Sequence, residues 1–170
     1  MMTITWTKVD SPVGQLYLAA AKKGLAFLDF SKSKSEFHRR ISKAYPDASF
    51  VESTENLTAA LEDLKRYWKG DTGRPKTAFD LSGTKFQKDV WKALMTIPAG
   101  KVISYGKLAQ KLGKPKASRA IGAAVGRNPI SILIPCHRVI ASDGTLCGYG
   151  GGLQKKARLL SHEGAQWKSK

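Results

Sequence analysis

The sequence predicts a two-part chain: an α/β N-terminal half, an antiparallel sheet with helices, over residues 1–80, and a mostly α C-terminal half with a (winged) helix-turn-helix over 81–170. Three observations predict it. Residues 3–9 alternate at strand spacing ahead of two further short strand-like runs, and apolar residues return at helical spacing after Thr84. The stretch 70–82 is rich in Gly, Pro, Thr and Asp, the composition of a connection. Charge also shifts there: residues 1–80 carry 13 basic and 10 acidic side chains, a net +3, whereas 81–170 carry 16 and 3, a net +13.

Each element follows in order. Residues 3–9 alternate with Ile4 and Trp6 on one face, a strand. Asp10–Gly14 is a turn, 15–21 a second strand, Lys22-Lys23-Gly24 a tight connection and 25–30 a third strand. Three strands with short loops form an antiparallel meander. Ser33 and Glu36 have capping-box spacing, which starts a helix over 34–44 that Pro46 ends. Residues 48–51 are a candidate short strand. A helix over 54–69 places Leu57, Ala60, Leu61 and Leu64 on one face, and Gly70 stops it.

In the second half Thr84 and Gln87 again have capping-box spacing, for a helix over 85–96 with Phe86, Val90 and Leu94 on one face. Ser104 can cap a helix at 105–112. Lys114-Pro115 turns the chain into a further helix at 116–126, and two short helices so joined resemble a helix-turn-helix. A last helix covers 153–162, after a loop holding Gly144, Gly148, Gly150, Gly151 and Gly152.

The 170 residues contain 42% hydrophobic and 25% charged side chains, ordinary for a globular chain, but a net charge of +16. A basic half points to a polyanion, nucleic acid first. Two cysteines, Cys136 and Cys147, exclude a disulfide scaffold and a four-thiolate zinc site. No apolar run reaches membrane-spanning length, and the N-terminus lacks signal-peptide pattern, so the expected compartment is the cytoplasm, with free thiols and no membrane partner.

Two elements stand out chemically. Seven of the ten residues 117–126 are Ala, Ser or Gly, with Arg119 projecting between Lys116 and Arg127. Such a helix either packs closely in the core or lies against a minor groove, too narrow for a bulky face. The second is Pro135-Cys136-His137-Arg138. A cysteine after an apolar run is commonly a core residue. Here Pro135 breaks the run and opens it to a loop, and the two neighbouring bases are expected to lower the thiol's pKa. A carboxylate to orient the histidine must come from Asp89, Asp143 or Glu163.

The stretch Ile134-Pro135-Cys136-His137-Arg138-Val139-Ile140 resembles the active-site motif of the O6-alkylguanine-DNA alkyltransferases. So, in order, do Phe86…Val90-Trp91…Leu94, Gly100-Lys101-Val102-Ile103-Ser104-Tyr105, Ser118-Arg119-Ala120, Gly126-Arg127-Asn128-Pro129, Tyr149…Gly151-Gly152-Leu153 and Leu159–Gly164. The match runs through 85–164. The first 80 residues resemble the family's ribonuclease-H-like domain in architecture alone.

The resemblance implies a direct-reversal DNA repair protein that moves the alkyl group of O6-alkylguanine, and of O4-alkylthymine, irreversibly onto Cys136. His137, oriented by Glu163, would deprotonate the thiol through a water. Tyr105 would stand near the base and its 3′ phosphate. Arg119 would fill the stack after the nucleotide flips out, with Lys116, Ser118, Ala120 and Arg127 along the DNA. Val139, Tyr149, Gly150 and Ser131 would form the base pocket, and Asn128 a hinge. The partner would be double-stranded DNA containing the lesion, met by a monomer through the minor groove, with no cofactor or metal. Gly150 stands where many relatives have Ser or Ala, and Ser131 where some have Pro. Zinc ligands of some N-terminal domains are absent, and Cys147 reads as a bystander. Non-catalytic alkyltransferase-like proteins are the alternative, but they usually carry Trp where this chain has Cys136.

Overall fold

The computed structural model describes residues 1–169. The predicted meander forms: β1 (Thr3–Val9), β2 (Leu16–Ala21) and β3 (Gly24–Asp29) pair antiparallel. The fourth strand, β4 (Ser49–Glu52), changes the expected character of the sheet. It lies beside β1 in parallel register, Thr3 opposite Ser49, giving the order β3-β2-β1-β4 and a mixed rather than purely antiparallel sheet. The reason is the intervening α1 (Lys34–Ser42), which carries the chain back across one face before β4 begins.

Every residue of β2 is buried, because both faces of the sheet are covered. On one side Trp6, Tyr17, Ala19 and Ala26 pack with Phe37 and Ile41 of α1. On the other, Leu16, Leu18, Leu25 and Leu28 meet Leu57, Ala60, Leu64 and Tyr67 from the α2 region (α2, Thr58–Trp68). That second core does not stop at the charge shift. It continues through Val90, Trp91 and Leu94 of α3 (Lys85–Leu94) into Ile130–Ile134 and Leu159.

The segment 70–82 has no helix but is held down. Asp63 accepts the backbone N–H groups of Lys76 and Thr77, and Leu25 of β3 bonds to Ala78 and Asp80 through its backbone. The approach is close enough to need glycine next door: a Cβ on Gly24, at φ +144°, would lie 2.3 Å from the Ala78 carbonyl. Further along β3, Leu28 N–H donates to Pro129 O and Ser131 N–H to Leu28 O, at 2.9 and 2.8 Å. The N-terminal sheet therefore fixes the strand-like run that leads to Cys136.

Local signals explain three of the six described α-helix starts. Thr84 and Gln87 form the full capping box of α3. Ser104 caps α4 (Tyr105–Lys111) by accepting from Lys107 N–H. Ser33 accepts from Glu36 N–H, but Glu36 reaches past it to Lys32 N–H, so only half of that box closes. Beside the helix pair lies a two-residue parallel ladder, β5 (Ile103–Ser104) with β6 (Val139–Ile140).

Candidate functional site

α5 (Ser118–Gly126) buries Ile121, Ala124 and Val125, and its small residues let α3 come near enough for Trp91 Nε1 to donate to Ala124 O at 2.9 Å. Its other face is open: Arg119, Ala120 and Ala123 are exposed, with Lys116 and Arg127 at its two ends and Ser118 half-buried. One face packs, and the other presents two arginines and a lysine around a smooth alanine surface.

The chain leaves α5 through Asn128. Its Nδ2 donates to Ile134 O at 2.8 Å and Ile130 O at 3.2 Å, and its Oδ1 accepts from Ile130 N–H at 3.0 Å. The amide therefore ties the helix-turn-helix to the segment before the cysteine. Cys136, His137 and Arg138 form a 3-10 turn that leads into β6. Such a turn sends successive side chains about 120° apart, and here they diverge. Cys136 lines a cleft of about 250 Å³ together with Tyr105, Asn128, Ser131, Tyr149 and Gly150, and Phe30 and Arg40 complete its rim from the N-terminal half. Gly151 sits where a Cβ would strike the Phe30 ring at 2.7 Å, which keeps the glycine loop folded over that rim. A larger cleft, about 850 Å³, opens behind the turn and is lined by Arg138 but not by Cys136.

His137 is fully buried and points away from the cleft rim, its Nε2 2.7 Å from Glu163 Oε1. A carboxylate only accepts, so Nε2 carries the proton and Nδ1 the lone pair. Nδ1 has no protein partner. Arg138 donates to both carboxylate oxygens of Glu163, each at 2.9 Å, and to Ile97 O. Of the three carboxylates available in sequence, Asp89 pairs with Lys85 on the surface and Asp143 accepts from Thr145; Glu163 is the one at His137. Val139 is fully buried and offers its carbonyl inward, not its side chain to the cleft.

The electrostatics correct two expectations. The thiol is not opened to a loop: Cys136 is 9% exposed. Nor do the charges of its two neighbours lower its pKa; what His137 contributes is a backbone N–H. Burial pushes the Cys136 thiol up, with Asn128 and the charge of Lys156 working against it. Arg138 gives no such help because its charge is engaged by Glu163, and His137 is neutral, since burial lowers it despite Glu163. Burial would raise Glu163 too, but hydrogen bonds from His137 and Arg138 hold it down to about 2. Tyr105 is pushed up to about 12, first by burial and then by Cys147 beside it. Cys147, read as a bystander, is therefore a neighbour of the site.

A family model described as the 6-O-methylguanine DNA methyltransferase DNA binding domain matches residues 85–165, and one described as its ribonuclease-like domain matches 4–72. The chain belongs to the 6-O-methylguanine DNA methyltransferase family. A methylated-DNA–protein-cysteine methyltransferase of Methanosarcina acetivorans is 42% identical over 156 residues, covering 92% of this chain and 96% of its own. The namesake in Shigella flexneri is 38% identical over 167 residues, covering 96% and 98%. The crystal structure of Mycobacterium tuberculosis OGT in complex with DNA is similar at a TM-score of 0.80 and 38% identity, over 94% of this chain and 92% of that one.

Two buried residues of this family member escaped sequence reasoning. Lys156, on α6 (Leu153–His162), is 0% exposed, and its Nζ donates to Val139 O, Cys147 O and Gly148 O at 2.6, 2.7 and 3.3 Å. A signal existed: position 156 falls on the helix face of Leu159 and Leu160, where a lysine is out of place. Tyr67 of α2 donates to Glu163 Oε1 at 2.8 Å. It lies three positions after Leu64, on the apolar face of α2, where nothing local marks it as part of a site. Among the described residues, no group of three or more His, Cys, Asp or Glu is placed to hold a metal ion, and no helix is long and apolar enough to cross a membrane.

Proposed function

We propose that this protein repairs alkylated DNA by direct reversal, moving the alkyl group from O6-alkylguanine, and from O4-alkylthymine, onto Cys136 in a single irreversible turnover. One observation carries the reading: Cys136 lines a cleft to which α5 contributes Gly122, Val125 and Gly126, while His137 and Glu163 stand paired behind it. The DNA complex of the Mycobacterium tuberculosis relative supports duplex DNA as the partner.

The alkyl carbon lies in the groove of a stacked duplex, where an in-line attack needs the base extruded, so the nucleotide flips into the cleft. Arg119 enters the gap from the minor-groove side, and Lys116, Ser118, Ala120 and Arg127 follow the backbone. Inside, Tyr149, Gly150 and Ser131 border the base, and the backbone at Cys136 and Val139 recognises its edge. His137 Nδ1 takes the thiol proton through a water, and Glu163 stabilises the imidazolium. The thiolate attacks the alkyl carbon. A sulfur–carbon bond forms, the carbon–O6 bond breaks with its electron pair going to guanine, and the proton returns to guanine directly or through Tyr105. The product thioether has no hydrolysable bond, so the protein is consumed. A monomer working in the cytoplasm without cofactor or metal meets these needs.

Incubation with a duplex containing one O6-methylguanine tests this. The intact mass should rise by one methyl group, carried on the peptide containing Cys136, with no second turnover. Cys136→Ser should bind the duplex and gain nothing. An unmodified wild-type protein on repaired or unrepaired DNA would sink the proposal.

A further inference from the structure

The Glu163 carboxylate is reached from three sides, and one of them belongs to the N-terminal half. Oε1 takes His137 Nε2 at 2.7 Å and Arg138 Nη2 at 2.9 Å, and also the hydroxyl of Tyr67 at 2.8 Å, from 96 positions earlier in the chain. Tyr67 has little freedom to be elsewhere. It is 5% exposed, its carbonyl lies 2.6 Å from His162 Nε2, and its ring packs against His162 and Trp68 at 4.9 and 4.8 Å. Its ring and backbone are both locked to the end of α6, the helix that delivers Glu163.

We propose that Tyr67 is a positioning residue for alkyl transfer: its hydroxyl shares Oε1 with His137 and so sets how strong a base His137 is. This rests on the relay reading of His137 and Glu163 given above. Each donor on a carboxylate stabilises the anion and weakens its pull on the other donors. With the hydroxyl gone, more of the negative charge on Oε1 is left for an imidazolium, and His137 keeps its proton to higher pH. The other ionisable groups facing the pair are Arg138 from the same turn, Lys156 from α6, Tyr149 from the glycine loop and the Cys136 thiol. None of them changes when Tyr67 becomes Phe. Burial and Glu163 together keep the Tyr67 hydroxyl protonated far above its ordinary range, so it donates at every working pH. The N-terminal half would then be part of the chemistry, not just its scaffold.

The test uses the full chain, comparing wild type with Tyr67→Phe, which keeps the ring contacts. Single-turnover repair of an O6-methylguanine duplex is followed from about pH 5 to about pH 9, where an acid limb reports the base. The titration of His137 is followed separately by nitrogen-15 NMR of histidine-labelled protein, a readout that needs no turnover. The variant should shift both midpoints upward by about half a unit to one unit, losing several-fold in rate at the acid end and staying within about twofold on the alkaline plateau. Midpoints that stay put overturn the proposal, whether rates are unchanged or fall evenly at all pH values. Glu163→Gln runs alongside. If it reacts at the wild-type rate, the relay reading itself fails; if it is slow while Tyr67→Phe leaves the midpoints unmoved, only the role of Tyr67 fails.

Discussion

The ammonium group of Lys156 lies 2.6 Å from the carbonyl of Val139, wholly out of solvent, and bridges it to the carbonyls of Cys147 and Gly148. One buried cation thus holds the strand after the cysteine against the loop that closes the cleft. Burial lowers its pKa, and the two thiols pull it back up. The same coupling acts in reverse, so Lys156 is a positive charge that favours the Cys136 thiolate. Lys156→Gln keeps a donor near the carbonyls and removes the charge. Its thiol should react with iodoacetamide about tenfold more slowly at neutral pH, as expected when a nearby cation is lost. Binding to undamaged duplex should stay nearly unchanged. An unaltered iodoacetamide rate would mean that the sulfur does not feel Lys156.

Asn128 offers a different kind of test, because its amide meets backbone groups on both sides of a bend. Asn128→Ala leaves the Ile130 N–H without its acceptor, while the Ile134 carbonyl keeps Cys136 N–H at 2.8 Å. One unmet buried group costs about 1–3 kcal/mol, so chemical denaturation should show a loss of that order with an unchanged slope. Asn128→Asp keeps the acceptor for Ile130 N–H but sets a carboxylate oxygen against the Ile130 and Ile134 carbonyls, and should lose at least as much stability as Asn128→Ala. Thiol reactivity should fall in both variants, since the Asn128 side chain also holds the thiolate form.

These two residues show where sequence reasoning reached and where it ended. Caps such as Thr84 with Gln87, or Ser104 with Lys107, are contacts across three positions, and spacing alone reveals them. The pairing of β4 with β1 joins segments 46 positions apart, and nothing in the local alternation says which way the strand will run. The motif around Cys136 was legible as a motif, but its electrostatics were not. Adjacency in sequence suggested that His137 and Arg138 would act on the thiol, whereas the 3-10 turn aims both at Glu163. Lys156 and Tyr67 look like one misplaced lysine and one core aromatic until the fold brings them to the same few ångströms.

The exposed face of α5 separates grip from chemistry. On the proposed reading Lys116 and Arg127 meet phosphates, so replacing either with Ala should weaken binding to any duplex and reduce the salt dependence of binding by about one ion. Arg119→Ala should behave otherwise. If it fills the stack behind a flipped nucleotide, repair of the duplex lesion should slow far more than reaction with the free O6-methylguanine base. Equal slowing of the two substrates would place Arg119 among the phosphate contacts instead.

Acid should weaken the fold through the His137–Glu163 pair. His137 is buried and neutral, its pKa lowered from 6.5. The unfolded chain therefore binds a proton there first, and stability present above that value declines as pH falls below 6.5. Glu163 adds a second decline. Its pKa drops from 4.5 to about 2 on folding, so its contribution is complete above 4.5 and is lost as pH falls toward 2. That gap corresponds to roughly 3 kcal/mol. Asp29 works in the opposite sense, because burial raises it despite Ser31 and Arg40, and the folded chain takes up that proton more readily. A bare acid titration mixes the three. The difference between wild type and Glu163→Gln carries the Glu163 contribution together with its pull on His137: denaturant midpoints measured from neutral pH downward should converge below 4.5, as the wild type loses what the variant never had. Parallel curves through that window would show that the Glu163 carboxylate is no more stable in the folded chain than out of it, and that its contacts with His137 and Arg138 contribute nothing net.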